Sequence, residues 1–175
     1  MNKGDLAIED ITEQAGVGGE TGIHKWTTSA SMVDINQDGL LDIYVCEVAN
    51  YKILNGENRL YLNQGDLTFR EAAADYNLDI STYSQQAAFL DYDMDGDLEL
   101  FLMNHAVHTP DSYKRASVRA IRDSLAGDRL YRNDDGKFTE VTEEAGIYSG
   151  VMGYGLSVSI ADLNNDRLPD IYVTN

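Results

Sequence analysis

The chain has 175 residues, 43% of them hydrophobic, and a formal net charge of −17 from 30 acidic and 13 basic side chains. That length fits one domain with a sizeable core, the single cysteine, Cys46, excludes an internal disulfide framework, and so acidic a surface repels nucleic acid and anionic lipid. No apolar run approaches the roughly 18 residues needed to span a bilayer, and the N-terminal MNKGDLAIEDITEQ lacks the apolar core of a secretory signal.

Residues 5–12 (DLAIEDIT) are predicted, from the plan of the repeats that follow, to form the last strand of a preceding repeat. A loop, EQAGVGGETGIHKWT, follows and carries His24 and Trp26, the only tryptophan. SASMVD then reads as a strand of small and apolar residues, and it runs into DINQDGLLDIYV at 34–45. The apolar run LDIYVCEV is the next strand, and Cys46 within it is expected to be a small buried core residue. After ANYKILNGE come RLYLN and LTFREA, joined by the Gly-containing turn NQGDL in hairpin fashion.

The pattern then recurs. QAAFLD precedes DYDMDGDLELFL at 91–102, and RLYRN and KFTEVT are joined by NDDGK. SVSIAD precedes ADLNNDRLPDIYV at 161–173. EDITEQAGV at 9–17 and TEVTEEAGI at 139–147 match, with a blurred copy, REAAADYNL, at 70–78. The spacings are unequal, so one structural unit carries loop insertions, and repeats of this length point to propellers or solenoids. Four short antiparallel strands per unit is the plan of a propeller blade. The units are approximately 28–72 and 85–141, with an incomplete one over 155–175. The fold is therefore expected to be all-β: residues 1–175 form one partial propeller that belongs to a longer polypeptide or closes between chains, with self-association through open blade edges.

The acidic loops between first and second strands supply the chemistry. Numbered from the first aspartate, positions 1, 3, 5 and 9 are Asp34, Asn36, Asp38 and Asp42; Asp91, Asp93, Asp95 and Glu99; and Asp162, Asn164, Asp166 and Asp170. Clustered hard oxygens suit Ca²⁺, which takes about 6–8 of them, whereas uncompensated carboxylates a few ångströms apart repel. Gly39 and Gly96 at position 6 permit a sharp turn with positive φ. The carbonyl at position 7 (Leu40, Asp97, Leu168) is then expected to point inward as a further ligand. In the third loop Arg167 replaces the glycine. An EF-hand demands a bidentate Glu at position 12 and flanking helices; here that position is Val45, Leu102 or Val173 in strand-like sequence, so an EF-hand is rejected. The expected cofactor is Ca²⁺, up to three ions.

NRLYLN or DRLYRN, then FTEVTEEAGI, then a small-residue strand leading into D-x-N-x-D-x-x-x-D-I-Y-V, resembles the FG-GAP/VCBS repeats of integrin-α-type β-propellers. The combination is similar to the propeller region of bacterial ASPIC/UnbV-type and cartilage-acidic-protein-like proteins, and the resemblance covers nearly the whole chain. It implies that the acidic loops hold structural calcium and that the protein is exported, to an extracellular, periplasmic or cell-surface location.

The remaining connections are expected to share the opposite face of the propeller. They hold His24, Trp26, Tyr83, His105, His108 and Tyr154, a candidate ligand face for a protein or glycan. TPDSYKRASVRAIRDSLAG is predicted to be a short helical insertion, starting at Pro110 and Asp111, with Val118, Ile121 and Leu125 on one face and a basic side. Neither G-x-S-x-G nor H-E-x-x-H occurs, and His105 with His108 lacks a zinc pattern. The expected function is a non-catalytic, calcium-stabilised binding or scaffold module; the alternative is part of a calcium-dependent polysaccharide lyase or other carbohydrate-active enzyme.

Overall fold

The first repeat builds a four-stranded antiparallel sheet. In the computed structural model, which describes residues 1–19, 22–107 and 116–175, its strands are β1 (Thr27–Val33), β2 (Asp42–Glu47), β5 (Arg59–Asn63) and β6 (Phe69–Glu71) in the order β1-β2-β5-β6. The connection from second to third strand carries a small hairpin of its own, β3 (Ala49–Tyr51) with β4 (Leu54–Asn55). The second repeat gives the same sheet from β7 (Ser84–Leu90), β8 (Glu99–Asn104), β9 (Arg129–Asp134) and β10 (Lys137–Glu140). The third contributes β11 (Ser157–Ala161) and β12 (Asp170–Thr174) as an antiparallel pair. The architecture is all-β, a partial β-propeller of four-stranded blades.

The first strands lie side by side, β1 against β7 and β7 against β11. Crowding there explains their small residues, because large side chains would hold neighbouring blades apart. Side chains instead stitch them together: Ser31 Oγ donates to the Ala87 carbonyl at 2.8 Å and Thr28 Oγ1 to the Ser84 carbonyl at 2.8 Å. Gln86 Oε1 accepts the Val158 N–H at 3.2 Å.

Between the first two blades sits one core cluster, which includes Tyr44, Cys46, Leu60, Leu78, Ala87, Leu100, Leu102, Tyr131 and Phe138. Between the second and third sits another, with Leu90, Phe101, Met103, Leu130, Val141 and Val158. Every residue of β8 is buried, since the second blade has a neighbour on both sides. Truncating one such leucine to alanine typically costs about 2–5 kcal/mol. Cys46 is fully buried, and burial pushes its thiol up to about 12, so it acts as core and not as a nucleophile.

Two expectations are corrected. Residues 5–12 form no strand. Asn2 bridges Ile8 across a turn in which Asp5 and Leu6 take positive φ, Leu6 and Ile8 are exposed, and α1 (Thr12–Ala15) follows at once. A strand needs a neighbouring strand to supply hydrogen bonds, and among the described residues none lies beside this segment. The basic insertion, where described, carries the expected short helix as a 3₁₀ helix over Ala116–Ala120, but Ile121, expected on its packed face, is 53% exposed. Pro110 and Asp111 lie outside the described residues.

The shared EDITEQAGV pattern proves to be a chain reversal, which in its second and third copies follows the fourth strands β6 and β10. The α1 turn ends at Gly16 (φ 74°), α2 (Ala73–Tyr76) ends at Asn77 (φ 59°), and the third copy turns at Gly146 (φ 70°). A left-handed residue at this point stops a helix and releases the chain toward the next blade.

Candidate metal centres

Each acidic loop leaves the end of a first strand and re-enters the sheet opposite it. The paired residues are Val33 with Asp42, Leu90 with Glu99, and Ala161 with Asp170, so register roots every position-9 carboxylate at the base of its loop. From there the carboxylate reaches back to the N–H of position 2: Asp42 accepts from Ile35 at 3.2 Å, Glu99 from Tyr92 at 2.9 Å, and Asp170 from Leu163 at 2.8 Å.

The position-1 aspartate closes the turn from the other side. Asp34 Oδ2 accepts the Gly39 N–H at 3.0 Å, Asp91 Oδ2 that of Gly96 at 3.2 Å, and Asp162 Oδ2 that of Arg167 at 2.9 Å. Position 5 then accepts from position 7: Asp38 from Leu40, Asp95 from Asp97, and Asp166 from Leu168, at 2.8–3.1 Å. Positions 4 and 6 are left-handed in all three loops, at Gln37 and Gly39, Met94 and Gly96, and Asn165 and Arg167. Arg167 therefore adopts the glycine conformation despite its Cβ, at a cost of about 1–2 kcal/mol.

The second loop holds the densest charge. Asp91, Asp93 and Asp95 each place a carboxylate oxygen within 4.8 Å of the others, and Asp95, Asp97 and Glu99 do the same. Asp97 was expected to contribute its carbonyl; its side chain also joins the cluster. Glu99 is fully buried, and Asp91 Oδ1, Asp97 Oδ1 and Glu99 Oε1 are buried oxygens that receive no hydrogen bond from a neighbouring donor. Burial pushes the Glu99 carboxyl up to about 8, assisted by the Asp97 and Asp93 carboxyls and opposed by the Tyr92 N–H. Burial likewise raises Asp97 and, in the first loop, Asp42.

Two residues that reasoning from sequence passed over brace these loops. Asn63 and Asn133 donate through their side-chain amides to the carbonyls of Leu41 (3.1 Å) and Leu98 (3.3 Å), the residues just before position 9. Each also accepts the N–H of a glycine in the following hairpin, Gly65 or Gly136. Their signal was the invariant final N of RLYLN and RLYRN. Gln37 was also missed: its side-chain amide reaches across to the Gly96 carbonyl at 2.6 Å and ties the first loop to the second.

At the other end of the same strands, Trp26, Tyr83 and His105 line one cavity of about 430 Å³ together with Tyr51, Val48, Leu54 and Leu156. Tyr154 packs edge-on to His105 with centroids 5.4 Å apart, and His24 donates to the Ile53 carbonyl on the β3–β4 hairpin, so both stand behind this cavity and not in its wall. His108 lies outside the described residues.

A family model described as FG-GAP-like repeat matches residues 34–102 and 118–173, which takes in all three acidic loops. No curated protein matches the chain. The matched segments cover more than half of the sequence, and they contain the three acidic loops that share one hydrogen-bond pattern: the chain belongs to the FG-GAP-like repeat family.

Proposed function

We propose that this chain is a non-catalytic binding or scaffold module of an exported protein, stabilised by calcium in its acidic loops. One observation carries the metal reading: the fully buried Glu99, with an unpartnered carboxylate oxygen, inside a cluster of four aspartates. Buried carboxylates persist when a cation or donors compensate them, and the donors here are all hard oxygens, which fits Ca²⁺ and excludes a soft-metal site. Asp91, Asp93, Asp95, Asp97 and Glu99 would hold the ion in the second loop; Asp34, Asn36, Asp38, Leu40 and Asp42, and Asp162, Asn164, Asp166, Leu168 and Asp170, would hold those in the first and third. The ion supplies charge neutralisation, not a reaction step.

Bound calcium would lock the turn between first and second strands, and binding free energy would appear as fold stability. Extracellular modules work with calcium affinities of about 0.1–1 mM, which suits an exported protein. The module would then present its opposite end, around Trp26 and Tyr83, to a protein, glycan or other small ligand, and the edge of β12 that pairs with no strand among the described residues would offer a route to association between copies. Thermal unfolding in calcium and in chelator tests the metal reading. At about 100 times Kd the ion adds about 2.7 kcal/mol, or roughly 5–10 °C. Coincident melting curves would overturn the structural role.

A further inference from the structure

We propose that the aromatic cavity at the end opposite the acidic loops binds a small quaternary ammonium compound of the choline type. The inference deepens the binding-module reading and is independent of the calcium sites, which lie at the far end of seven-residue strands such as Thr27–Val33, roughly 20 Å away.

The wall of the cavity decides the ligand class. Trp26 is 62% exposed, and its ring shares the cavity with those of Tyr51 and Tyr83, which meet edge to face with centroids 6.1 Å apart. Val48, Leu54, Val107 and Leu156 fill the space between them. Among the described residues, no lysine, arginine, aspartate or glutamate lines the cavity. Of the polar groups in the lining, Thr28 Oγ1 donates to the Ser84 carbonyl and His105 Nδ1 to the Gly155 carbonyl at 3.1 Å. A methylated ammonium requires no hydrogen-bond partner, because its hydrogens meet aromatic faces and its charge meets their quadrupoles.

Charge points the same way. The chain carries a net −17, which favours cations at any cleft. Asp123 lies close enough to Tyr83 that its charge, after burial, helps to raise the phenol. Tyr51 already holds a cation: Lys52 Nζ stands 5.0 Å from its ring centroid. The cavity volume of about 430 Å³ admits a small ligand.

Trp26 is the only tryptophan, so its fluorescence reports the site directly. Choline and its neutral isostere 3,3-dimethylbutan-1-ol are titrated into the calcium-loaded protein. The expected result is a saturable change in Trp26 emission, with choline about tenfold tighter than the isostere. Trp26→Ala, read by calorimetry, and Tyr83→Leu, read by fluorescence, each weaken choline by about tenfold, while Lys52→Met removes a competing charge and tightens it. Equal affinity for the two compounds, a flat titration, or saturable binding of a neutral disaccharide instead of choline overturns the proposal. A protein whose melting temperature rises with calcium while Trp26 ignores choline loses this inference and keeps its metal sites.

Discussion

The first and second acidic loops share one hydrogen-bond skeleton yet differ in what they leave unpaid. Asp42 is satisfied on both oxygens, by the Ile35 N–H and by the Asn63 N–H at 2.8 Å. Glu99, one methylene longer, takes the Tyr92 N–H and turns its other oxygen into a pocket of carboxylates. Backbone N–H groups therefore shape the turn, while side-chain length sets how much charge is left inside it. The third loop repeats the skeleton without a third strand beside it among the described residues, and Asp170 is only half-buried.

The sharpest way to break this comparison is Glu99→Gln. Without calcium, the wild-type carboxyl titrates at about 8 in the fold against 4.5 in the open chain, so its folded state retains a proton that the unfolded chain releases. Stability is then full below pH 4.5 and falls as pH rises through about 8. The variant flattens that slope and loses part of the calcium increment, by about 2 kcal/mol at saturating ion, read by thermal unfolding across pH. Because the ion must displace this proton, calcium affinity of the second loop rises with pH over the same window; affinity that is constant from pH 5 to pH 8 would remove Glu99 from the site.

A second contrast lies at equivalent positions outside the loops. Asn58 in the first blade is buried and bonded, donating to Tyr44 Oη and accepting the Glu47 N–H. Its counterpart, Asp128, accepts the Asn104 N–H at 2.9 Å, and burial lifts its carboxyl to about 6 from 3.8. Its contribution is full below pH 3.8 and is lost as pH rises through 6. Asp128→Asn should therefore stabilise the fold by about 1–2 kcal/mol at pH 7 and by nothing at pH 3.5, as read by denaturant midpoints.

Smaller effects refine the loop comparison. Arg167→Gly relieves a left-handed residue but loosens the unfolded chain, for a net gain of about 0.5–1 kcal/mol and better protection of loop amides in hydrogen exchange. Gln37→Ala removes the tie to Gly96 and is expected to cost about 0.5–1 kcal/mol. If the first two loops communicate through it, calcium titrations of that variant lose their coupling; unchanged coupling would assign the link to packing.

Much of this was legible in the residues. Strand order, the blade plan and loop positions 1, 3, 5 and 9 follow from local spacing, and the small residues of SASMV, QAAFL and SVSIA anticipate the crowded inner strands. What failed was partner-dependent. Residues 5–12 stand where the repeat plan puts a last strand and form none among the described residues, because a place in the plan supplies no neighbour. The Asn63 and Asn133 braces arise from strands distant in sequence, and the side chain of Asp97 joins the cluster where only its carbonyl was expected. Spacing along one segment does not report them.

The two long connections between second and third strands enter and leave the sheets at equivalent rungs, Val45 opposite Arg59 and Leu102 opposite Arg129. Residues 48–58 span the first gap and 105–128 the second, yet the ladders around them agree. Length at that end is thus decoupled from the pairing of second with third strands: one ladder accepts a short excursion or a long one, so a repeat can vary its recognition surface while its sheet stays the same.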